Sequence, residues 1–285
     1  MLIGSVFAIF GALMLGGNVA GTVGEGITTL ELTDTMIFAV LTGMAIVLIL
    51  SSGFGLPIST THAMVGSITG LAIYEAGSLA LVNLDKLGSI VASWFLSPAI
   101  GMAGSFIIYR GVDKILQKYT TGLDSVARNE RIAANLLLVF VVVTAVSRGG
   151  NDVANAVSPL MQMFSGEGLT SIPLLIGGLG MATGLILLAR KVLRTLGNEI
   201  VELTPSKALA VQISTAVITF AGANLGIPLS GTHILVASFI GVALSSKSQV
   251  NYRVVGKIAG SAISTPVLGA IISITLFLLF TSLGF

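Results

Sequence analysis

Nine continuously apolar runs divide this chain, each approaching the roughly 20 residues a helix needs to cross a hydrocarbon core of about 30 Å. They run approximately from Met1 to Leu15, Thr35 to Leu50, Pro57 to Tyr74, Leu87 to Tyr109 and Ile132 to Val146. Ile172 to Ala189, Ala208 to Gly222, Pro228 to Leu244 and Val254 to Phe280 follow, and several are short for a full span. Apolar residues follow one another without the alternation of a transmembrane barrel strand. Only 9% of residues are charged, against about a quarter in a soluble domain, so most of the surface cannot face water. The 35 glycines suit helices that approach closely in lipid. These features define the expected fold class, an all-α integral membrane protein. No basic residue precedes Met1 to Leu15, and Gly16-Gly17-Asn18 follows it, so it reads as a retained membrane segment and not a cleaved signal. The absence of cysteine excludes disulfides and thiolate metal sites, and a net charge of +2 is too small to point to nucleic acid.

The chain also contains a duplication. Pro57-Ile58-Ser59-Thr60-Thr61-His62 recurs as Pro228-Leu229-Ser230-Gly231-Thr232-His233, an offset of 228 − 57 = 171 that also pairs Val65 with Val236, Ser67 with Ser238 and Gly70 with Gly241. Ser93 to Pro98 faces Ser261 to Pro266, and Val19, Thr22 and Gly24 match Val192, Thr195 and Gly197. Loop charges orient the copies. Glu25, Glu31 and Asp34 occupy the Asn18 to Asp34 loop, whereas its counterpart holds Arg190, Lys191, Arg194 and Lys207. The near-neutral loop from Glu75 to Lys86 corresponds to one with Lys247, Arg253 and Lys257. Basic short loops stay in the cytoplasm, so equivalent loops are expected on opposite sides, as in inverted-topology repeats with broken or re-entrant helices. The expected division is a first repeat over 1–110, a cytoplasmic connecting loop over 111–130 and a second, inverted repeat over 131–285, with the C-terminus outside.

Each PxSxTH motif follows a glycine-containing break. Proline favours the first helical turn, which places Ser59, Thr60 and Thr61, and in the second copy Ser230 and Thr232, among unpaired backbone N–H groups. A helix start of this kind binds anions through those groups and the positive end of the dipole; the alternative is a tight turn in which the hydroxyls serve only as caps. His62 and His233, one turn further in, read as packing or hydrogen-bonding residues. The segment from Ser147 to Ala156 interrupts an apolar run with Arg148, Asn151, Asp152 and Asn155. Ionisable residues inside a membrane segment are functional candidates, and the glycines would let the helix open. Asp152 and the amide oxygens of Asn151 and Asn155 supply oxygen ligands for Na⁺ or a proton, while Arg148 could neutralise Asp152 or meet an anion. The alternative is an Arg148–Asp152 pair that merely holds the break. No nucleophile, base and orienting group fall at an enzymatic spacing, and no cofactor is expected.

Gly150-Asn151-Asp152-Val153-Ala154-Asn155-Ala156 resembles the signature of the inorganic phosphate transporter family, which includes Na⁺- or H⁺-coupled phosphate carriers and a sulfate permease branch. The PxSxTH segments resemble its second signature, and Ser93 to Pro98 and Gly197 to Pro205 extend the similarity over essentially the whole chain. The resemblance implies a multi-pass cell-membrane transporter of phosphate, or sulfate on the same scaffold, by alternating access around a midplane site. Ser59, Thr60, Thr61, Asn151, Ser230 and Thr232 would meet the anion, with Asp152 and Asn155 holding the coupling Na⁺ or H⁺. A further alternative is a membrane subunit that does not transport alone; membrane lipid and a second copy in a homodimer are the other expected partners. Two departures stand out. An Asn-Asp segment equivalent to Ile132 to Phe164 would precede Met1 in the first copy, and Gly231 stands where the family has a hydroxyl residue.

Overall fold

The computed structural model describes residues 1–24, 26–164, 169–194 and 200–285. Glu25, Thr195 and Gly197 to Glu199, which enter the loop-charge, repeat or family comparisons above, lie outside the described residues.

Eleven helices make up nearly all of the described chain. They are α1 (Leu2–Gly24), α2 (Asp34–Gly53), α3 (Thr60–Ala76), α4 (Leu84–Tyr119), α5 (Leu123–Arg148) and α6 (Ala154–Phe164), followed by α7 (Ser171–Leu187), α8 (Ala189–Arg194), α9 (Pro205–Asn224), α10 (Gly231–Ser246) and α11 (Tyr252–Ser282). Among the described residues the only β-pairing is an isolated bridge between Thr28 and Val82. Six helical segments are long and apolar enough to cross a membrane, one being the continuous stretch Leu123–Phe164. Phe38, Phe95, Ile107, Leu138 and Ile263 are large, apolar and exposed on these long helices, which is the surface a bilayer solvates. The chain is an all-α, multi-pass membrane protein.

Three of the nine apolar runs form helices too short to span; one is α7, with 17 residues, and the other two are α3 and α10. α3 has 17 residues and α10 has 16, or roughly 25 Å at 1.5 Å per residue. Each is the second arm of a hairpin whose first arm is α2 or α9, and the two turns are built alike. Gly55 and Gly226 take φ of 71° and 66°, a left-handed conformation that favours glycine. Leu56 N donates to the Ser51 carbonyl and Ile227 N to the Gly222 carbonyl, each at 2.9 Å, closing the preceding helix. Pro57 and Pro228 then keep the chain extended. Both prolines precede the cap and do not enter the first turn, contrary to the sequence expectation. Ser59 and Ser230 are the N-caps, accepting from His62 N and His233 N at 3.4 Å.

The two copies interlock. α3 packs against α11 and α10 against α4, so each hairpin's inner arm rests on the other copy's long helix. Small residues permit the approach: a Cβ on Gly66 would overlap the Pro266 backbone, and one on Gly241 would overlap the Met102 carbonyl.

The stretch 111–130 differs from the expected loop. α4 runs through Tyr119 and α5 begins at Leu123, leaving 120–122 as the link. Its polarity reflects helix ends, since Lys, Arg, Glu and Gln are strong helix formers. Glu130 on α5 accepts from Ser206 N at 2.9 Å and Ser206 Oγ at 2.8 Å, satisfying the start of α9.

Candidate functional site

The expected opening of the helix at Ser147 to Ala156 takes a tighter form. α5 continues into α6 through a π-helical turn, Gly149–Val153, without unwinding. Such turns leave backbone groups displaced from the α pattern and recur at functional sites. Gly149 and Gly150 serve close packing, because a Cβ at Gly149 would overlap the Ala8 carbonyl and one at Gly150 would crowd Leu15 of α1.

This turn faces the tips of both hairpins. Thr61 Oγ1 donates to the Leu229 carbonyl at 2.9 Å, and Thr232 Oγ1 donates to the Ile58 carbonyl at 3.2 Å. Thr61 corresponds to Thr232 and Ile58 to Leu229, so the two bonds are one interaction made reciprocally, as a two-fold relation between like surfaces requires. Asn151 holds the second tip from both sides: its Oδ1 accepts from Leu229 N at 3.0 Å and its Nδ2 donates to the Leu229 carbonyl at 2.8 Å. Asn155 Nδ2 donates to Thr61 Oγ1 at 2.9 Å, while Asn155 Oδ1 is buried without a partner among the described residues. Thr60 is half-buried as the first residue of α3.

Asp152 is fully engaged. Its Oδ2 accepts from Arg148 Nε at 2.9 Å and lies 2.8 Å from Nη2, and its Oδ1 accepts from Asn151 Nδ2 at 2.9 Å. The guanidinium sits against Gly231, where an added Cβ would stand 3.2 Å from Nε. The glycine that departs from the hydroxyl pattern thus makes room for Arg148. The structure therefore brings Arg148, Asn151, Asp152, Asn155 and Thr61 into one cluster bonded through Leu229, with Thr232 clasping the opposite tip at Ile58 and Ser59 and Ser230 capping the helices that deliver it. Among the described residues no three His, Cys, Asp or Glu side chains gather as a metal-ligand set. A Na⁺ ion here would rely on neutral oxygens beside Asp152. A cavity of about 470 Å³ opens beside the first tip, lined by Phe54, Leu56, Lys257, Gly260, Ser261 and Ser264.

Sequence reasoning missed the relation of two residues. His62 and His233 meet with ring centroids 4.8 Å apart, and Trp94 lies 3.8 Å from His62. The signal was available in part, since both histidines stand at the duplication offset one turn inside hairpin tips that meet each other.

Two hairpin tips clasped inside an all-α bundle make this a multi-pass membrane protein with a buried polar site. The chain belongs to the Phosphate transporter family, whose model matches residues 1–273. It is similar to proteins bearing phosphate-permease names in Pyrococcus furiosus, at 27% identity over 86% of this chain and 78% of the relative, and Thermococcus kodakarensis, at 27% over 100% and 89%. Its fold matches a solved structure titled "The sodium-dependent phosphate transporter" with a TM-score of 0.84, covering 98% of this chain and 89% of the other. At 24% identity, that likeness establishes the fold.

Proposed function

We propose that the protein is a secondary transporter of inorganic phosphate in the cell membrane, coupled to Na⁺ or H⁺ and working by alternating access. The observation that best supports this is the convergence of two serine-capped helix starts. Each presents N–H groups and a positive dipole end to the same buried point, which suits an oxyanion without a dedicated lysine. Ser59, Thr60, Thr61, Ser230 and Thr232, with Asn151, would form the phosphate site. Asp152 and the unpartnered oxygen of Asn155 would hold the coupling cation once Arg148 releases the carboxylate. The cavity beside Phe54 and Leu56 is the proposed approach, with Lys257 drawing anions in.

The two copies, 1–110 and 131–285, are proposed to be inverted about an axis in the membrane plane, with the 111–130 segment cytoplasmic and the C-terminus outside. The cysteine-free chain makes a direct check possible. A cysteine at Arg194 should be labelled from the cytoplasmic side and one at Glu31 from outside; labelling of both from one side defeats the inversion. Function is tested by uptake of labelled phosphate into proteoliposomes, with and without Na⁺ and pH gradients and with sulfate as competitor. Cation-driven phosphate accumulation is expected. Preferential sulfate uptake would move the assignment to that anion, and no uptake of either would defeat the transport reading.

A further inference from the structure

His62 and His233 are the only histidines in the chain, and they stand at matching positions of the two copies, 233 − 62 = 171. Their surroundings differ. Pro266 has no N–H to give the Ala262 carbonyl four residues earlier, and His62 Nδ1 takes that carbonyl at 3.1 Å. A carbonyl only accepts, so His62 carries its hydrogen on Nδ1 and leaves a bare lone pair on Nε2. His233 Nδ1 instead faces Ser230 Oγ, where either atom can donate. The Nε2 atoms of both rings, like Trp94 Nε1, are buried without a hydrogen-bond partner among the described residues.

Of the elements packed around the rings, α11 carries Arg253 and Lys257, and Lys257 lines the cavity beside the first tip. α4 contributes the Trp94 indole, and α11 contributes the Ala262 carbonyl and the Ile258 carbonyl, which is turned towards His233. Each ring faces the other as a titratable neighbour, with centroids 4.8 Å apart. The Arg148–Asp152 pair lies against Gly231 at the start of α10, already neutralised within itself.

We propose that His62 and His233 form a proton-binding site that takes up one proton between the two rings; its place in a transport cycle rests on the phosphate reading above. The proton bonds to an imidazole lone pair, with no other bond broken, and is supplied by and returned to water on either side of the membrane. Two facing imidazoles in a buried site resist double protonation, so they titrate as a coupled pair. The added charge lies one turn inside the helix starts proposed to hold the anion and favours its binding. The pair also reaches the anion site through Ser230. A proton on His233 Nδ1 makes that nitrogen a donor to Ser230 Oγ, which frees the hydroxyl hydrogen for an anion oxygen. By linkage, phosphate must then tighten proton binding by the factor by which the proton tightens phosphate binding.

The test uses the whole chain in lipid nanodiscs with ¹⁵N-labelled histidine, whose two rings are assigned with His62→Gln and His233→Gln. The rings are expected to take up one proton in total, each substitution altering the titration of the ring that remains. Saturating inorganic phosphate should raise the midpoint; a rise of about one pH unit corresponds to about tenfold linkage. In proteoliposomes, His62→Gln should bind phosphate yet lose accumulation driven by a pH gradient. Two independent titrations, no protonation of either ring while the protein stays folded, or bound phosphate that leaves the midpoint unmoved would each overturn the proposal. If a glutamine variant unfolds, the wild-type titration with and without phosphate decides. One-proton uptake in a protein that neither binds nor moves phosphate would uphold the site and overturn the transport reading.

Discussion

Asp152→Asn separates a carboxylate that works from one that only holds the π-turn together. The native carboxylate receives two nitrogens of Arg148 on one oxygen and the Asn151 amide on the other. Stranding one partner of a fully buried pair costs about 3–5 kcal/mol, whereas exposed pairs contribute about 0–1 kcal/mol. Arg148 retains 27% of its side-chain exposure and Asp152 9%, so water can partly re-solvate the stranded guanidinium. Asparagine also keeps an oxygen for the Asn151 amide. The expected loss is therefore about 2 kcal/mol, between those limits. The double change Asp152→Asn with Arg148→Gln removes the stranded charge and should recover about 1–2 kcal/mol of it, as neighbours in one network do. Thermal or denaturant unfolding in one detergent reads the stability, and phosphate uptake against a cation gradient reads the function. Loss of cation dependence in both variants, with stability restored only in the double, supports a carboxylate that both pairs and couples. A single variant as stable as its parent and equally responsive to Na⁺ and pH refutes the reasoning on both counts.

Two further outcomes follow from the packing around the tips. Thr61→Ala or Thr232→Ala should weaken phosphate binding by about 1–1.5 kcal/mol, the surplus of a hydrogen bond to a charged group over the neutral one each hydroxyl now makes, or about five- to tenfold; isothermal titration should show Thr232→Ser close to the parent. Gly149→Ala, whose Cβ would overlap the Ala8 carbonyl, should cost about 1–3 kcal/mol by overpacking, while Gly17→Ala, which meets nothing within 4 Å, should leave the melting temperature unchanged or slightly raised.

The apolar runs, the duplication and the helix breaks were legible because each follows from local chemistry. A glycine forced to positive φ, a proline and a serine cap at Gly55, Pro57 and Ser59 announce a hairpin turn without tertiary information, and the same triplet returns at Gly226, Pro228 and Ser230. The 111–130 stretch misled because polarity was taken for irregularity, although its lysines, arginines and glutamate favour helix. The use of Gly231 as a seat for Arg148 was illegible, since it depends on which helix crosses α10 at that point. So was the commitment of Asn151 to Leu229, 78 residues away. The pairing of Thr61 with Asn155 likewise exists only once two distant helices meet. Residue types at the site could be read from sequence, but which of their atoms are already engaged could not.

That engagement has a consequence for leakage. The single hydroxyl hydrogens of Thr61 and Thr232 are both committed to carbonyls of the opposite tip, so an oxyanion that claims them must release Leu229 and Ile58. A neutral hydrogen bond is worth about 0.5–1.5 kcal/mol net and one to a charged group about 1.5–3 kcal/mol, so the exchange favours a fully charged, multi-oxygen guest and little else. Water or a monovalent halide lacks the paired acceptors to open both clasps together. If the proposed site is the path, the chain would act as its own competitive inhibitor: each tip occupies the other's donors, and only a guest that outbids both at once would unlatch it.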